Sequence, residues 1–118
     1  MAENESTDSN SLKYPPTDTS PTHDVYEADA RDIPLDDDSV DFIVTSPPYW
    51  QKRDYGVEDQ IGQEETPEEF VEVIVDTLDE WRRVLRPHGS IFFNIGDTYE
   101  KRSLAGIPWK VAQAARED

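Results

Sequence analysis

Val40-Asp41-Phe42-Ile43-Val44-Thr45-Ser46-Pro47-Pro48-Tyr49-Trp50 is the stretch that decides how this chain folds. Val40, Phe42, Ile43 and Val44 make a nearly continuous β-prone run, the pattern of a buried strand. The run stops at two consecutive prolines, which donate no N–H and fix φ at about −65°. The strand therefore ends in Ser-Pro-Pro-Tyr-Trp, with a hydroxyl, free carbonyls and aromatic rings beyond its carboxyl end. In open α/β sheets, that is where ligands bind.

Downstream, Gln51 to Glu65 is charged, holds Gly56 and Gly62, and reads as a loop. A helix is predicted from Pro67 to about Arg86. Thr66 is a good N-cap, Pro67 suits the first helical position, and Glu69 stands where a capping-box glutamate belongs. Phe70, Ile74, Leu78, Trp81 and Leu85 recur at helical spacing as one apolar stripe, so they are core candidates. Arg82, Arg83 and Arg86 suit the negative end of the helix dipole, and Pro87-His88-Gly89 is a stop signal. Ser90 to Asp97 reads as a second buried strand through Ile91, Phe92, Phe93 and Ile95. A loop then leads to Ile107-Pro108, where another helix begins.

Upstream, Val25-Tyr26-Glu27-Ala28 is a short strand candidate ending at Asp29, followed by a polar connection with Pro34 and Asp36-Asp37-Asp38. Residues 1–22 are rich in Ser, Thr, Asn, Asp and Pro. They are expected to be a disordered acidic and polar tail, because so few apolar groups cannot offset the entropy of ordering. Residues 23–118 form the folded part. Its order is strand, strand, loop, helix, strand, loop, helix, which argues for an α/β unit with a mostly parallel sheet. Three strands are few for such a sheet, so an incomplete fold is expected.

Across 118 residues there are 27 acidic and 11 basic side chains, a net charge of −16 and no cysteine. Disulfides, thiolate metal sites and cysteine nucleophiles are excluded. No stretch approaches the ~20 apolar residues of a membrane span, and the N-terminus lacks the pattern of a secretory signal. A soluble, cytoplasmic protein without a membrane partner is expected. The acidic residues are dispersed rather than blocked, which suits a halophilic source where salt screens self-repulsion. An ordinary acidic protein kept soluble by its charge is the alternative. The carboxylates of the long loop read as a solvated face with no metal-ligand spacing.

Ser46, Pro47, Pro48 and Tyr49 can hold a planar group bearing an NH₂. Ser46 and the Pro47 carbonyl accept its hydrogens, and the Tyr49 ring stacks on it. The plainer alternative is a rigid strand exit. Trp50 and Trp109 are open between core packing and contact with a base, Asp97 between capping a loop and touching a ligand. His23 and His88 are expected on the surface.

Thr45-Ser46-Pro47-Pro48-Tyr49-Trp50 resembles the catalytic motif of S-adenosylmethionine-dependent DNA amino-methyltransferases, in which Asp, Asn or Ser precedes Pro-Pro and Tyr or Phe. The Ser form is typical of cytosine-N4 enzymes; Asp and Asn are more usual for adenine-N6. Gln60-Ile61-Gly62, the helix with its Pro87-His88-Gly89 exit, Asn94-Ile95-Gly96-Asp97 and Ile107-Pro108-Trp109 follow the family's order, so the resemblance covers roughly Asp24 to Asp118. It implies a partial Rossmann-like methyltransferase fold and S-adenosylmethionine as cofactor. Ser46, Pro47, Pro48 and Tyr49 become the catalytic motif, and Asp29 the carboxylate that contacts the cofactor's adenosine. Double-stranded DNA is the implied partner, with the target base flipped from the duplex. Ring-carbon methylation of cytosine needs a thiolate, which the lack of cysteine excludes separately.

The family's Gly-rich cofactor loop has no counterpart here, nor is there a basic segment to neutralise phosphates. A fragment or split subunit is expected, with a second polypeptide carrying the Gly-rich loop and the target-recognition region. Competing readings are methylation of RNA or protein glutamine by the same motif, an acidic non-enzymatic binding module, and an inactive relic.

Overall fold

The computed structural model describes residues 21–118. The expected tail of residues 1–22 falls almost wholly outside the described residues. Two strands and two helices carry the architecture: β1 (Val40–Thr45), α1 (Pro67–Val84), β2 (Leu85–Phe93) and α2 (Ile107–Glu117). A two-residue hairpin, β3 (Tyr99–Glu100) with β4 (Ser103–Leu104), is antiparallel and was not anticipated in the loop before α2.

β1 and β2 pair in parallel, with Ile43 opposite Ile91, Val44 opposite Phe92 and Thr45 opposite Phe93. Parallel strands need a long crossover, and the loop after β1 together with α1 supplies it. The α/β class and the parallel pair agree with the sequence reading. The third expected strand does not form. Residues 25–28 hold no regular secondary structure, and Val25 is 95% exposed. Among the described residues no strand lies beside them, and four residues without a ladder leave their polar backbone to water.

α1 begins as its sequence dictates. The Thr66 hydroxyl accepts the Glu69 N–H at 3.1 Å, and Glu69 Oε1 accepts the Thr66 N–H at 3.1 Å. It ends at Val84, earlier than the expected Arg86, with Leu85 already extended at φ −79° and ψ 135°. The reason lies in the chain entering β1. The N–H groups of Asp38 and Ser39 donate to the carbonyls of Arg83 and Val84 at 3.0 and 2.8 Å, satisfying the helix end from outside. Pro87 completes the stop, since it biases Arg86 away from helical geometry. The second strand therefore starts at Leu85 instead of Ser90 and stops at Phe93 instead of Asp97. The register slips between Val40, opposite Leu85, and Phe42, opposite Ser90. Gly89 sits inside that bulge; a Cβ there would be 2.6 Å from Leu85 Cδ1 and 2.7 Å from the Asp41 carbonyl oxygen.

Phe70, Val71, Ile74, Val75, Ile107, Val111 and Trp50 make one core cluster between α1 and α2, with Leu78, Phe93 and Ile95 packed against it. Burying each large side chain contributes about 1.5–3 kcal/mol. Trp81 meets Phe93 with ring centroids 5.7 Å apart, joining α1 to the inner face of the sheet. The outer face is open: Phe42, Val44 and Phe92 are 60%, 69% and 60% exposed. The strands are thus buried on one face, not both as their composition suggests.

Arg83 straps the segment before β1 onto α1. Its guanidinium donates to the carbonyls of Ile33 and Leu35 at 2.9 and 3.0 Å and to Asp37 at 2.7 Å. It also grips Glu80, whose other hydrogen-bonding partner is the Ile33 N–H at 2.7 Å. No helix of the described residues is long and apolar enough to cross a membrane.

Candidate functional site

The turn after β1 is built around Trp50. Its ring is buried at 5% exposure, its indole N–H donates to the Glu64 carbonyl at 2.8 Å, and its own carbonyl accepts from the Thr98 hydroxyl at 2.6 Å. Trp50 is therefore a core anchor, whereas Trp109 is 80% exposed on α2. With Trp50 locked inward, the four residues before it stand at the carboxyl end of β1. The Asn94 N–H donates to the Thr45 carbonyl at 2.9 Å, carrying the sheet pairing one step past Phe93.

Two glycines let the turn close. Gly62 has φ +110°, and a Cβ on it would lie 3.1 Å from the Tyr49 carbonyl oxygen and 3.2 Å from Pro48 Cβ. Its carbonyl accepts the Gln51 N–H at 2.7 Å. Gly96 lies under the Tyr49 ring, where a Cβ would come within 2.7 Å of Cε2. Gln60-Ile61-Gly62 and Asn94-Ile95-Gly96 thus hold the turn from two sides.

Ser46, Pro47, Pro48 and Tyr49 line one cavity of about 400 Å³ together with Lys52, Arg53 and Tyr55. Ser46 Oγ and the Tyr49 hydroxyl are 3.4 Å apart, a weak contact that leaves the serine oxygen with lone pairs to offer. At the Ser46-to-Tyr49 end the cavity offers a serine oxygen, a proline backbone without N–H and an aromatic ring, acceptors suited to a group that donates hydrogens, while Lys52, Arg53 and Tyr55 supply its donors. Sequence reasoning missed Lys52, Arg53 and Tyr55, taking their loop as merely solvated. Three consecutive positions of type Lys-Arg-Asp inside an acidic chain were the available signal.

Asp29 is not in that cavity. Arg31 holds its carboxylate through the backbone N–H and Nε to Oδ1, both 2.9 Å, and through Nη2 to Oδ2 at 2.7 Å. Those hydrogen bonds keep Asp29 ionised, lowering its pKa from 3.8 to about 2. Arg31 also donates to the Asp59 carbonyl at 3.0 Å and lines a separate cavity of about 680 Å³ with Asp54, Val57, Asp59, Gln60, Gln63 and Glu64. An ionised, exposed carboxylate fits the hydroxyls of a ribose, so the residue present is compatible with an adenosine. Among the described residues no Gly-rich turn joins a strand to a helix.

Asp97 acts as a cap. Oδ1 accepts the N–H groups of Thr98, Gly106 and Ile107 at 2.8, 3.0 and 3.1 Å, satisfying the start of α2 across the small hairpin. Gly106, at φ +81°, has no side chain to do so itself. His88 and His23 are exposed, His88 lying 3.5 Å from Asp41.

Residues 40–117 match the family model described as DNA methylase. Among curated relatives, the Type II methyltransferase M.MwoI of Methanothermobacter wolfeii is 44% identical over 82 residues, 66% of this chain and 12% of that protein. M.Cfr9I of Citrobacter freundii is 34% identical over 125 residues, 80% of this chain and 42% of its own. M.SfiI of Streptomyces fimbriatus is 34% identical over 121 residues, 86% of this chain and 29% of its own. The chain thus spans less than half the length of these relatives. No solved structure matches it significantly.

Proposed function

The chain belongs to the DNA methylase family of amino-methyltransferases, and from that membership we propose that it carries the amine-binding part of an S-adenosylmethionine-dependent DNA methyltransferase, with cytosine N4 favoured over adenine N6. The observation that carries the reading is the cavity at the end of β1, lined by Ser46, Pro47, Pro48 and Tyr49. Residues 23–118 act as the catalytic-motif domain. The relatives are named Type II methyltransferases, and double-stranded DNA is the proposed substrate of this chain.

A base flipped from the duplex, at a cost of about a few kcal/mol, places its ring on Tyr49 and its exocyclic amine between Ser46 Oγ and the Pro47 carbonyl. Both acceptors take the amine hydrogens, which leaves the nitrogen lone pair normal to the ring and free on the face away from Tyr49. As the nitrogen forms its new bond it gains positive charge, and the two oxygens favour that charge more than the neutral amine. Pro48 fixes the backbone that aims them. No ionisable side chain lies between Ser46 and Tyr49, so the surplus amine proton leaves to water. Asp29 would hold S-adenosylmethionine at its ribose, and the bound cofactor would supply the electrophilic sulfonium methyl, its S–CH₃ bond breaking as the N–CH₃ bond forms and the neutral thioether leaving as product. Positioning and electrostatics account for the acceleration without a covalent enzyme intermediate.

Because the described residues hold neither a Gly-rich cofactor turn nor an extended basic face, we propose that methylation needs further protein, on another segment or on a second polypeptide. The test is methyl transfer from isotope-labelled S-adenosylmethionine, with the chain alone and co-expressed with its neighbouring coding sequence. Mass analysis of nucleosides, RNA and protein glutamine then assigns the product. N4-methylcytosine in DNA that disappears with Ser46→Ala supports the reading; label in RNA or protein, or none under either condition, overturns it.

A further inference from the structure

We propose that Lys52 and Arg53 form a phosphate-binding rim on the cavity of Ser46 to Tyr49, taking the phosphate of the nucleotide whose base enters it. The inference rests on the amine-pocket reading above and adds a ligand group to it.

Three observations carry it. The first is the sign of the charge. With 27 acidic against 11 basic residues, a lining taken at random from this chain would be acidic, yet this cavity has two cations and no carboxylate. A second cavity lined by the same loop has Asp54, Asp59 and Glu64 against Arg31 alone. The loop therefore sorts its charges, presenting cations only where the Ser-Pro-Pro-Tyr turn opens.

The second is pairing. Arg31, Arg83, Arg86 and Lys110 each contact a carboxylate, at 2.7, 2.7, 2.6 and 3.0 Å. Lys52 and Arg53 make no ion pair among the described residues. The other described cations without one, Arg82, Lys101, Arg102 and Arg116, do not line this cavity.

The third is that their backbone is fixed. The Arg53 carbonyl accepts from the Gln60 and Gln63 side chains at 2.8 and 3.1 Å, and the Tyr55 N–H donates to Gln60 Oε1 at 2.7 Å. The Lys52 N–H donates to the Tyr49 carbonyl at 3.3 Å, tying the cation directly to the aromatic residue of the turn. The Arg53 guanidinium carbon lies 5.9 Å from the Tyr55 ring centroid, a cation–π distance that turns it along the rim.

A net charge of −16 repels a polyanion at long range, so contact cations are needed where the phosphate must come closest. At about 1 M salt the Debye length is ~3 Å; the repulsion is then screened while a contact pair survives.

The experiment is an NMR titration of the full 118-residue chain at about 1 M KCl with deoxycytidine, deoxycytidine 5′-monophosphate, its 3′ isomer and inorganic phosphate. One of the two monophosphates should bind about threefold to tenfold more tightly than the nucleoside. Lys52→Gln with Arg53→Gln should bring that ratio to about one without moving α1 resonances, and Lys52→Arg with Arg53→Lys should keep most of it. A ratio that survives the glutamine pair, or no phosphate advantage while Tyr49 responds to the nucleoside, overturns the phosphate rim and leaves the amine pocket. Inorganic phosphate that moves Lys52 and Arg53 while deoxycytidine moves nothing supports the anion site and removes the pocket. Silence toward every probe overturns both.

Discussion

The Tyr49 ring lies so close to Gly96 that a Cβ on the glycine would stand 2.7 Å from Cε2 and 2.9 Å from Cδ2. The aromatic face offered to a ligand is therefore positioned by a residue that has no side chain, 47 places along the chain at the exit of the other strand. Gly96→Ala is expected to push the ring out of its seat. Overpacking of this kind costs about 1–3 kcal/mol, less if the ring can swing into the open cavity. Ring-proton shifts of Tyr49 in the substituted chain are the direct check: an unmoved ring with undiminished nucleoside binding would show that Gly96 does not set it.

Ser46 and Tyr49 should separate by the kind of group removed. Ser46→Ala takes away one acceptor and is expected to lower methyl transfer by about 10²-fold, as for other single groups that stabilise developing charge. Tyr49→Phe keeps the ring and loses only a hydroxyl 3.4 Å from Ser46, so it should stay within about threefold of the parent. Tyr49→Ala should be far worse than Tyr49→Phe. Single-turnover rates on a DNA duplex, measured with the co-expressed protein that methylation requires, decide this, and equal losses for the two tyrosine substitutions would place the function in the hydroxyl.

Local signals made much of this legible. The proline pair after Val44-Thr45-Ser46, the Thr66-to-Glu69 capping box and the Ile107-Pro108 start are short-range chemistry, and each stands where the sequence puts it. Long-range partners set the rest. α1 stops at Val84 because Asp38 and Ser39, some 45 residues earlier, take its last carbonyls, and no helical periodicity reveals that. Asp97 caps α2 across an intervening hairpin, a reach that a motif of adjacent residues cannot encode. Val25 to Ala28 include β-prone residues, but pairing needs a neighbour that the described residues do not provide. The cavity's cations are only partly legible: adjacent Lys52 and Arg53 stand out in an acidic chain, but lining is a property of three-dimensional sidedness.

Thr66 offers the simplest stability test. Thr66→Ala removes the side-chain acceptor for Glu69 N–H and should lower stability by about 1 kcal/mol, visible as a shift in the denaturant midpoint with unchanged slope. A neutral result would mean that Pro67 and the Glu69 bond to the Thr66 N–H suffice to start α1.

Glu80 gives the fold an acid-sensitive strap. The Arg83 guanidinium and then the Ile33 N–H bind its carboxylate, lowering its pKa from 4.5 to about 2. Because the folded value lies below the unfolded one, the contribution is fully present above about pH 4.5 and fades as pH falls toward 2. Wild type should lose ground to Glu80→Gln across that window, although the substituted chain is less stable at pH 7. Comparing the two removes the effect of the many other carboxylates that protonate in the same range. Parallel pH profiles would show that Glu80 binds Arg83 no more tightly in the folded chain than in the unfolded one.

The acidic surface predicts a salt dependence of definite sign. At a net charge of −16 the folded chain concentrates its repulsion more than the unfolded chain does, so screening favours the fold. The Debye length shortens from about 10 Å at 0.1 M to about 3 Å at 1 M, and most of the gain should come within that interval. The surface pairs Arg86–Asp41 and Lys110–Glu68 oppose it, because screening weakens them too, but solvent-exposed pairs contribute little. Repulsion among an excess of 16 like charges outweighs those few contacts, and we expect the melting temperature to rise steadily from 0.1 to 1 M KCl. The rise with KCl should exceed that of a variant in which exposed Glu65, Glu72 and Asp76 are replaced by glutamine and asparagine. A melting temperature indifferent to KCl would mean that the carboxylates are already relieved by local pairing, and the expectation of a halophilic source would give way to that of an ordinary acidic protein.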